Sequence, residues 1–306
     1  MVDTFLKQLV NGLSLGSIYA LIALGYTMVY GIVKLINFAH GDVMMVGAYA
    51  GYFVLVAMGP QVTPLSLTLA FVVAMVACAL LSLLIERCAY RPLRSAPRLN
   101  SLITAIAVEL ILQNLMRVLP FVGPDPRQFP TMPTKVHVWS TAAYPDGLFS
   151  ISNIQILVIV LSVVLMIFLN ILINYTKTGK AMRAVSYDMG AASLMGVSVN
   201  KTIAITFVIG SVLAGAGGVL YASAYPQIDP TMGYIPGLKA FVAAVLGGIG
   251  SVPGAMVGGI ILGIAETMTK AYVSSQYADA ISYCILIVIL LVKPAGLLGK
   301  KQVVKV

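Results

Sequence analysis

Two segments that interrupt long apolar runs hold most of the groups in this sequence that could bind a small solute. The first covers residues 34–42 and is polar, and the second covers residues 247–254 and is rich in glycine. Glycine weakens a helix and proline removes a backbone donor, so we predict broken helices here. The candidate binding groups belong to Asn37, His40, Gly41, Asp42, Gly247, Gly248, Gly250 and Pro253.

The depth of each break in the membrane decides what it can do. Irregular backbone inside a bilayer is tolerated only where protein buries it or where it lines a wet cavity. A break at depth therefore predicts a solute pathway. For the first break, the alternative is a polar turn at the membrane edge, which Lys34 favours. Small-residue helices follow both breaks, and an internal repeat of this kind predicts that both breaks face one cavity.

Ionisable side chains inside apolar runs are a second sign of function, because charge is costly in lipid and faces the bundle interior or water. Glu109 and Gln113 lie one helical turn apart and predict either a polar contact between helices or a role in a pathway. Glu266 and Lys270 have the i, i+4 spacing of an interfacial ion pair. Lys239 could belong to the solute path, and it fits equally well an anchor whose ammonium group extends to the interface.

Patterns for metal binding and nucleotide binding are missing from the sequence. It has 2 His and 3 Cys, without the spacing of a metal site. It has neither the H-E-x-x-H motif of a zinc protease nor the G-x-x-x-x-G-K-[ST] phosphate-binding loop. We therefore expect no enzyme activity and no cofactor in this chain, and any ATPase that drives it must be another chain.

The composition is that of an integral membrane protein. Of 306 residues, 59% are hydrophobic and 9% are charged, whereas about 25% are charged in an average soluble domain. The apolar runs reach the roughly 20 residues that cross a bilayer as a helix. We predict an all-α, polytopic helical bundle, a single domain over residues 1–306 with roughly eight to nine membrane segments, some of them broken or re-entrant.

The distribution of charge orients the chain. The net charge is +9, and it is concentrated in short segments between apolar runs, which favours the positive-inside rule over binding to nucleic acid. Basic clusters at residues 87–98, 177–201 and 300–305 are therefore assigned to the cytoplasm. The proline-rich segment 120–152, which contains Trp139, is then an external loop.

A polar segment at residues 175–201 separates two apolar runs and is predicted to be a cytoplasmic coupling loop. Its alanine- and glycine-rich part fits a short helix that docks in a groove of a partner, with Leu194 and Met195 as apolar contacts. The alternative is that its basic flank contacts anionic lipid headgroups. The residues assigned to coupling are Gly179, Lys180, Arg183, Asp188, Ala191, Ala192, Leu194, Met195 and Gly196.

Two blocks of sequence are specific, N-F-A-H-G at residues 37–41 and G-G-I-G-S-V-P-G-A at residues 247–255. With their flanks and with residues 85–95 and 179–197, they resemble the permeases of branched-chain amino acid ABC transporters. The resemblance runs over nearly the whole chain and is least in the loop 120–152.

The resemblance implies a multi-pass protein of the bacterial inner membrane that takes part in importing leucine, isoleucine or valine. The implied partners are a homologous second permease, two cytoplasmic ATPase subunits that bind ATP and Mg, and a periplasmic binding protein. The loop at residues 178–197 would dock on an ATPase. An amino acid zwitterion would need partners for both charges near the two breaks. Alternatives are a permease of the same family for urea, amides or sugars, and a channel or secondary transporter that acts alone.

Overall fold

The computed structural model describes residues 2–34, 37–94, 96–141 and 144–299. Within these ranges the chain forms eleven α-helices, a π-helical turn, a 3-10 turn and four short strands. The helices are α1 (Val2–Val33), α2 (His40–Ala57), α3 (Pro64–Ile85), α4 (Arg98–Val118), α5 (Asn153–Tyr175), α6 (Lys177–Tyr187), α7 (Met189–Leu194), α8 (Val199–Ala224), α9 (Tyr234–Gly247), α10 (Val252–Tyr272) and α11 (Ala278–Val292). The π-helical turn is Glu86–Tyr90, the 3-10 turn is Ser275–Tyr277, and the strands are β1 (Arg127–Gln128), β2 (Val136–Thr141), β3 (Tyr144–Ser152) and β4 (Gln227–Ile228).

The predicted membrane bundle is confirmed. In the described ranges, eight helical segments are long and apolar enough to cross a membrane, namely α1 to α5, α8, α10, and α11 together with the 3-10 turn that precedes it. Helix α9 has 14 residues, about 21 Å at 1.5 Å per residue, which is shorter than the roughly 30 Å core of a bilayer. It is a half-length segment of the kind expected beside a break.

The all-α prediction is incomplete at residues 120–152. Strand β2 pairs antiparallel with β3, with His137 opposite Ile151, so part of the predicted loop is a hairpin. Strand β1 pairs with β4, which joins this segment to the end of α8. The alternation in Val136–Thr141 is short, and the prolines before it obscured the strand signal.

The bundle has two ends. The basic end holds the π-helical turn, α6 and α7, and the hairpin end holds β2 and β3. Helix α1 runs from the hairpin end to the basic end. Near its start, Asn11 accepts a 2.5 Å hydrogen bond from Gln155 at the first turn of α5. Near its finish, Gly31 shares a small cavity with Arg183 of α6.

Helices α1 and α10 pack through backbone contacts at small residues. A Cβ atom added at Gly16 would lie 2.8 Å from the Cα of Ile260, and one added at Gly259 would lie 2.4 Å from the Cα of Ala20. Small residues allow such close approach in lipid, where no hydrophobic force drives helices together.

Residues 12–16 also have the G-x-S-x-G spacing of a nucleophile elbow. An elbow requires a strained turn from a strand to a helix, but Ser14 lies inside the continuous helix α1. Gly12 and Gly16 face the backbone of α10. The spacing serves helix packing in this fold.

A buried ion cluster joins four helices. Lys239 of α9 places its Nζ 2.8 Å from Glu266 Oε1 of α10 and 2.7 Å from Asp279 Oδ1 of α11. Lys270 Nζ lies 2.6 Å from the same Glu266 oxygen, and Tyr19 of α1 donates a 2.9 Å hydrogen bond to Glu266 Oε2. The predicted pair of Glu266 and Lys270 is therefore present, but it is one part of a larger network.

The interfacial anchor predicted for Lys239 is wrong. Lys239 is 4% exposed and Glu266 is 1% exposed. The ammonium group of Lys239 is held between two carboxylates and does not extend to the interface.

Replacing Glu266 by alanine should destabilise the bundle, because buried Lys239 would lose one of its two carboxylates and Tyr19 would lose its acceptor. Removing one partner of a buried ion pair costs about 3 kcal/mol or more. We expect a lower midpoint of thermal unfolding in detergent. Asp279→Asn is the control, since Asp279 has a half-exposed side chain, and its midpoint should fall much less. Equal shifts in the two variants would contradict the structural role of the cluster.

Candidate functional site

A cavity of about 350 Å³ lies where α1, α2, α4 and the start of α9 meet. Its walls combine three kinds of group: apolar side chains, two carboxylates and backbone exposed at glycines. The lining residues are Tyr26, Phe38, Gly41, Asp42, Ile106, Glu109, Leu110, Gly233, Tyr234, Gly237 and Leu238. Such a mixture, mostly apolar with a few polar groups, is typical of a site for a small molecule.

Glycines bring the first turns of α2 and α9 together at this cavity. A Cβ atom at Gly233 would lie 2.2 Å from the carbonyl oxygen of Gly41, and one at Gly237 would lie 2.9 Å from the Cα of Gly41. Neither helix has a side chain that caps its N-terminus. Two helix N-termini therefore lie at the cavity: that of α2 already carries the Asp42 carboxylate in its first turn, whereas that of α9 has no acidic residue there and favours an anionic group.

The two carboxylates of the cavity differ in their partners. Asp42 is 1% exposed and accepts hydrogen bonds of 3.1 and 3.3 Å from Gln113 Nε2 of α4. Glu109 lies one turn before Gln113 and is half-buried. Of the two alternatives for this pair, Gln113 makes the polar contact between helices, whereas Glu109 faces the cavity.

The predicted residues of the first break divide into two groups. Helix α2 begins at His40, so His40, Gly41 and Asp42 form its first turn and are not part of a polar loop. Gly41 and Asp42 line the cavity. Asn37 is buried and accepts a 2.8 Å hydrogen bond from Tyr90 Oη of the π-helical turn. His40 is buried with its ring centroid 4.8 Å from that of Tyr26, and neither Asn37 nor His40 is among the residues that line the cavity.

The second break is a packed junction at the basic end. Its backbone has positive φ at Gly248 (+105°) and Gly250 (+93°). The Ser251 side chain caps α10 by accepting a 3.2 Å hydrogen bond from the Gly254 backbone N–H, and Pro253 lies in the first turn of α10, where its missing N–H costs nothing.

The segment after α11 closes this junction. The backbone N–H groups of Leu297 and Leu298 donate 2.9 Å hydrogen bonds to the carbonyls of Leu246 and Gly247. A Cβ atom at Gly248 would lie 2.5 Å from the backbone nitrogen of Gly299. The glycines of this break thus allow backbone segments to pack closely.

The prediction that both breaks face one cavity is wrong. Gly250 lines a separate cavity of about 80 Å³ that also includes Gly31 and Arg183, whereas Gly41 and Asp42 line the larger one. The reason is that α9 carries the chain from the first cavity to the basic end before it breaks.

The predicted coupling segment forms two short helices, α6 and α7. Thr176 caps α6 by accepting a 3.1 Å hydrogen bond from the Gly179 backbone N–H, and Asp188 caps α7 by accepting one of 2.9 Å from the Ala191 backbone N–H. The turn between α5 and α6 is so tight that a Cβ atom at Gly179 would lie 2.0 Å from the Ile173 carbonyl oxygen. Arg183 donates a hydrogen bond to that same carbonyl.

Helix α7 has one buried and one exposed side. Ala192 packs inward, while Leu194 and Met195 are 90% and 84% exposed. Gly196 ends the helix at φ +81°, with a 3.0 Å hydrogen bond from the Val197 N–H to the Ala192 carbonyl that is typical of a glycine-terminated helix. Lys180 is exposed on α6.

Sequence reasoning missed several residues of the cavity. Gly233 and Gly237 lie outside both predicted breaks, and Tyr26 and Phe38 lay among many other aromatic residues. The four-residue spacing of Gly233 and Gly237 was the available signal, since small residues at this spacing mark close helix contact.

Comparison with known proteins gives one consistent result. The family model described as "Branched-chain amino acid transport system / permease component" matches residues 8–290. The LivH permease proteins of the high-affinity branched-chain amino acid transport systems of Escherichia coli K12 and Salmonella typhimurium are 44% and 43% identical to this chain. The corresponding BraD protein of Pseudomonas aeruginosa is 43% identical. Each alignment covers 99% of this chain and 98% of the relative. No solved structure matches the chain.

Replacing Gly233 by alanine should separate α9 from α2, because the new Cβ atom would overlap the Gly41 carbonyl oxygen. Overpacking of this kind costs about 1–3 kcal/mol, so the midpoint of thermal unfolding in detergent should fall. Gly190→Ala is the control, since a Cβ there has only an exposed carboxylate oxygen of Asp188 within 4 Å, at 3.3 Å. A Gly233→Ala protein as stable as the wild type would contradict the close packing described for the cavity.

Proposed function

The chain belongs to the family of branched-chain amino acid transport permease components, and we propose on this basis that it is the permease subunit of an ATP-driven importer of leucine, isoleucine and valine. The observation that carries the proposal is the identity of 43–44% over 99% of the chain with permeases named for this transport. A match over the full length includes the cavity, both breaks and the coupling segment.

The proposed location is the bacterial inner membrane, with the basic end in the cytoplasm. This assignment follows the positive-inside rule, because the arginines of the π-helical turn and its flank, the lysines of α6 and Lys293 all lie at that end. The start of α1 and the hairpin of β2 and β3 are then outside.

The cavity fits an amino acid with an aliphatic side chain. The N-terminus of α9, which has neither a side-chain cap nor an acidic residue in its first turn, favours its carboxylate. Phe38, Ile106 and Leu238 provide an apolar wall for its side chain. In this importer the amino acid arrives from a periplasmic binding protein, which supplies part of the selectivity.

The proposed energy source lies outside this chain. Two cytoplasmic ATPase subunits bind ATP and Mg, and a homologous second permease completes the membrane part. Leu194 and Met195, exposed on α7 at the basic end, are suited to a hydrophobic groove on an ATPase. Residues on this short helix can transmit force because α7 is joined directly to α6, whose Met182 and Val185 are buried.

The path of coupling follows from the contacts of α6. Helix α6 touches α1, α5 and α8, and its Arg183 holds the last carbonyls of α5. Helix α1 carries Tyr26 into the cavity. When ATP closes the ATPase pair, displacement of α7 therefore reaches the cavity through α6 and α1. The change in solute access is driven by the different affinities of the partners for the two states of the permease.

Uptake in cells tests the proposed function. A strain that lacks its own branched-chain amino acid permease, and that expresses this chain with its partner subunits, should take up radiolabelled leucine, isoleucine and valine. Omitting the ATPase subunits should abolish uptake. Uptake that persists without them would instead identify a carrier or channel that acts alone. Uptake of only a sugar or an amide would identify a permease of the same family with a different substrate.

Leu194→Asp should reduce recovery of the ATPases with the tagged permease at least about tenfold, because a charge at a buried apolar contact costs more than about 1.4 kcal/mol. The measurement is copurification from detergent-solubilised membranes. Ser198→Asp is the control, since it adds the same charge at an exposed helix N-cap, where aspartate is favourable. Gly196 is unsuitable for this test, since its positive φ would strain any substitution. Normal ATPase recovery with Leu194→Asp would exclude α7 as the docking element.

A further inference from the structure

Glu109 differs from the other carboxylates of the membrane helices whose side chains the structure describes. Asp42 is bonded to Gln113, Glu86 to Arg94, Glu266 to two lysines and Asp279 to Lys239. Among the residues that the structure describes, Glu109 has neither a hydrogen bond nor an ion pair, although it lies at the middle of α4 and lines the cavity.

An unpaired carboxylate at this position needs a partner that the described part of the chain does not supply. Charge inside a membrane bundle is retained where it pairs with another group or serves a pathway. On the same helix, Gln113 lies one turn after Glu109 and has a partner, because it donates hydrogen bonds to Asp42. Glu109 has none within the described residues. Glu109 is therefore available for a group that enters the cavity from outside the chain.

The surroundings of Glu109 select the chemistry of this partner. Within the described residues, no group of three His, Cys, Asp or Glu side chains could hold a metal ion. The walls on either side of Glu109, Ile106 and Leu110, are apolar. The N-terminus of α9, which has no acidic residue in its first turn, lines the same cavity and favours an anion. A site that attracts a cation on one wall and an anion on another, with apolar surface between, matches a zwitterion with an aliphatic side chain.

We propose that Glu109 binds the ammonium group of the amino acid in the cavity, while the N-terminus of α9 holds its carboxylate. This inference rests on the proposed function, and it assigns Glu109 as the residue that selects for an amine. Asp42 is already bonded to Gln113 of α4, so its role is to position that helix and not to bind the ammonium group. Sites built around a buried polar contact discriminate strongly against analogues that lack the matching group.

Transport by the complete complex tests the inference. Proteoliposomes with the permease, its partner subunits and leucine-loaded binding protein should show a maximal uptake rate at least tenfold lower for Glu109→Gln than for wild type. The concentration of binding protein that gives half the maximal rate should stay unchanged, because docking of that protein is not affected. Glu109→Asp should recover part of the rate. Asn114→Leu is the matched control, since it removes a polar group from the exposed side of the same helix and should leave the rate unchanged.

A binding measurement addresses the ammonium group directly. Leucinamide, which keeps the ammonium group, should raise the unfolding temperature of the purified wild-type complex, and 4-methylpentanoate, which lacks it, should raise it less. Glu109→Gln should lose the response to leucinamide. The inference is overturned if leucinamide has no effect on the wild type, or if it stabilises both proteins equally.

The two proposals fail in different ways. If the wild-type complex takes up no branched-chain amino acid, the proposed function is wrong. If the wild type transports leucine and Glu109→Gln does so at the same rate, only the role of Glu109 is wrong. Should Glu109→Gln not assemble, the Glu109→Asp variant decides: an unchanged rate overturns the inference, and a lowered rate with unchanged docking supports it.

Discussion

Backbone contact between helices at glycine is the constraint on which this structure depends. Lipid offers no hydrophobic gain for bringing apolar helices together, so close packing and polar contacts must hold the bundle. The α1 and α10 helices meet at Gly16 and Gly259, and the first turns of α2 and α9 meet at Gly41 and Gly233. The first contact forms the centre of the bundle. The second brings two helix N-termini to one point and thereby creates the floor of the cavity.

The polar groups within the bundle serve two purposes. Whether a group has a hydrogen-bond or ion-pair partner indicates which purpose it serves. The cluster of Lys239, Glu266, Lys270 and Asp279 is paired, with its central groups buried, and it fixes α9 against α10 and α11. Glu109 lines a cavity and has neither a hydrogen bond nor an ion pair within the described part of the chain, which is why we propose a solute as its partner. Pairing compensates the cost of burying a charge, so an unpaired carboxylate in a membrane helix indicates function more strongly than a paired one.

The basic end and the cavity are connected by short mechanical links. Helix α6 is fixed to α5 through the tight turn at Gly179 and through Arg183, and it contacts α1, which reaches the cavity at Tyr26. The junction at Gly248 is held by the segment after α11 through two backbone hydrogen bonds. Under the proposed function, these contacts are the route by which a displacement at α7 reaches the cavity without unfolding any helix.

The sequence by itself determined the membrane class, the helical fold and the positions of both breaks, since composition, glycine and proline act locally. Tertiary structure alone decided what each polar residue does. Tyr19 and Glu266 are hydrogen-bonded across 247 positions of sequence, and no local pattern could relate them or predict that Lys239 is buried. Likewise, Asn37 and His40 turn away from the cavity, whereas Gly233 enters its wall. These roles depend on which helices touch, and packing in three dimensions determines those contacts.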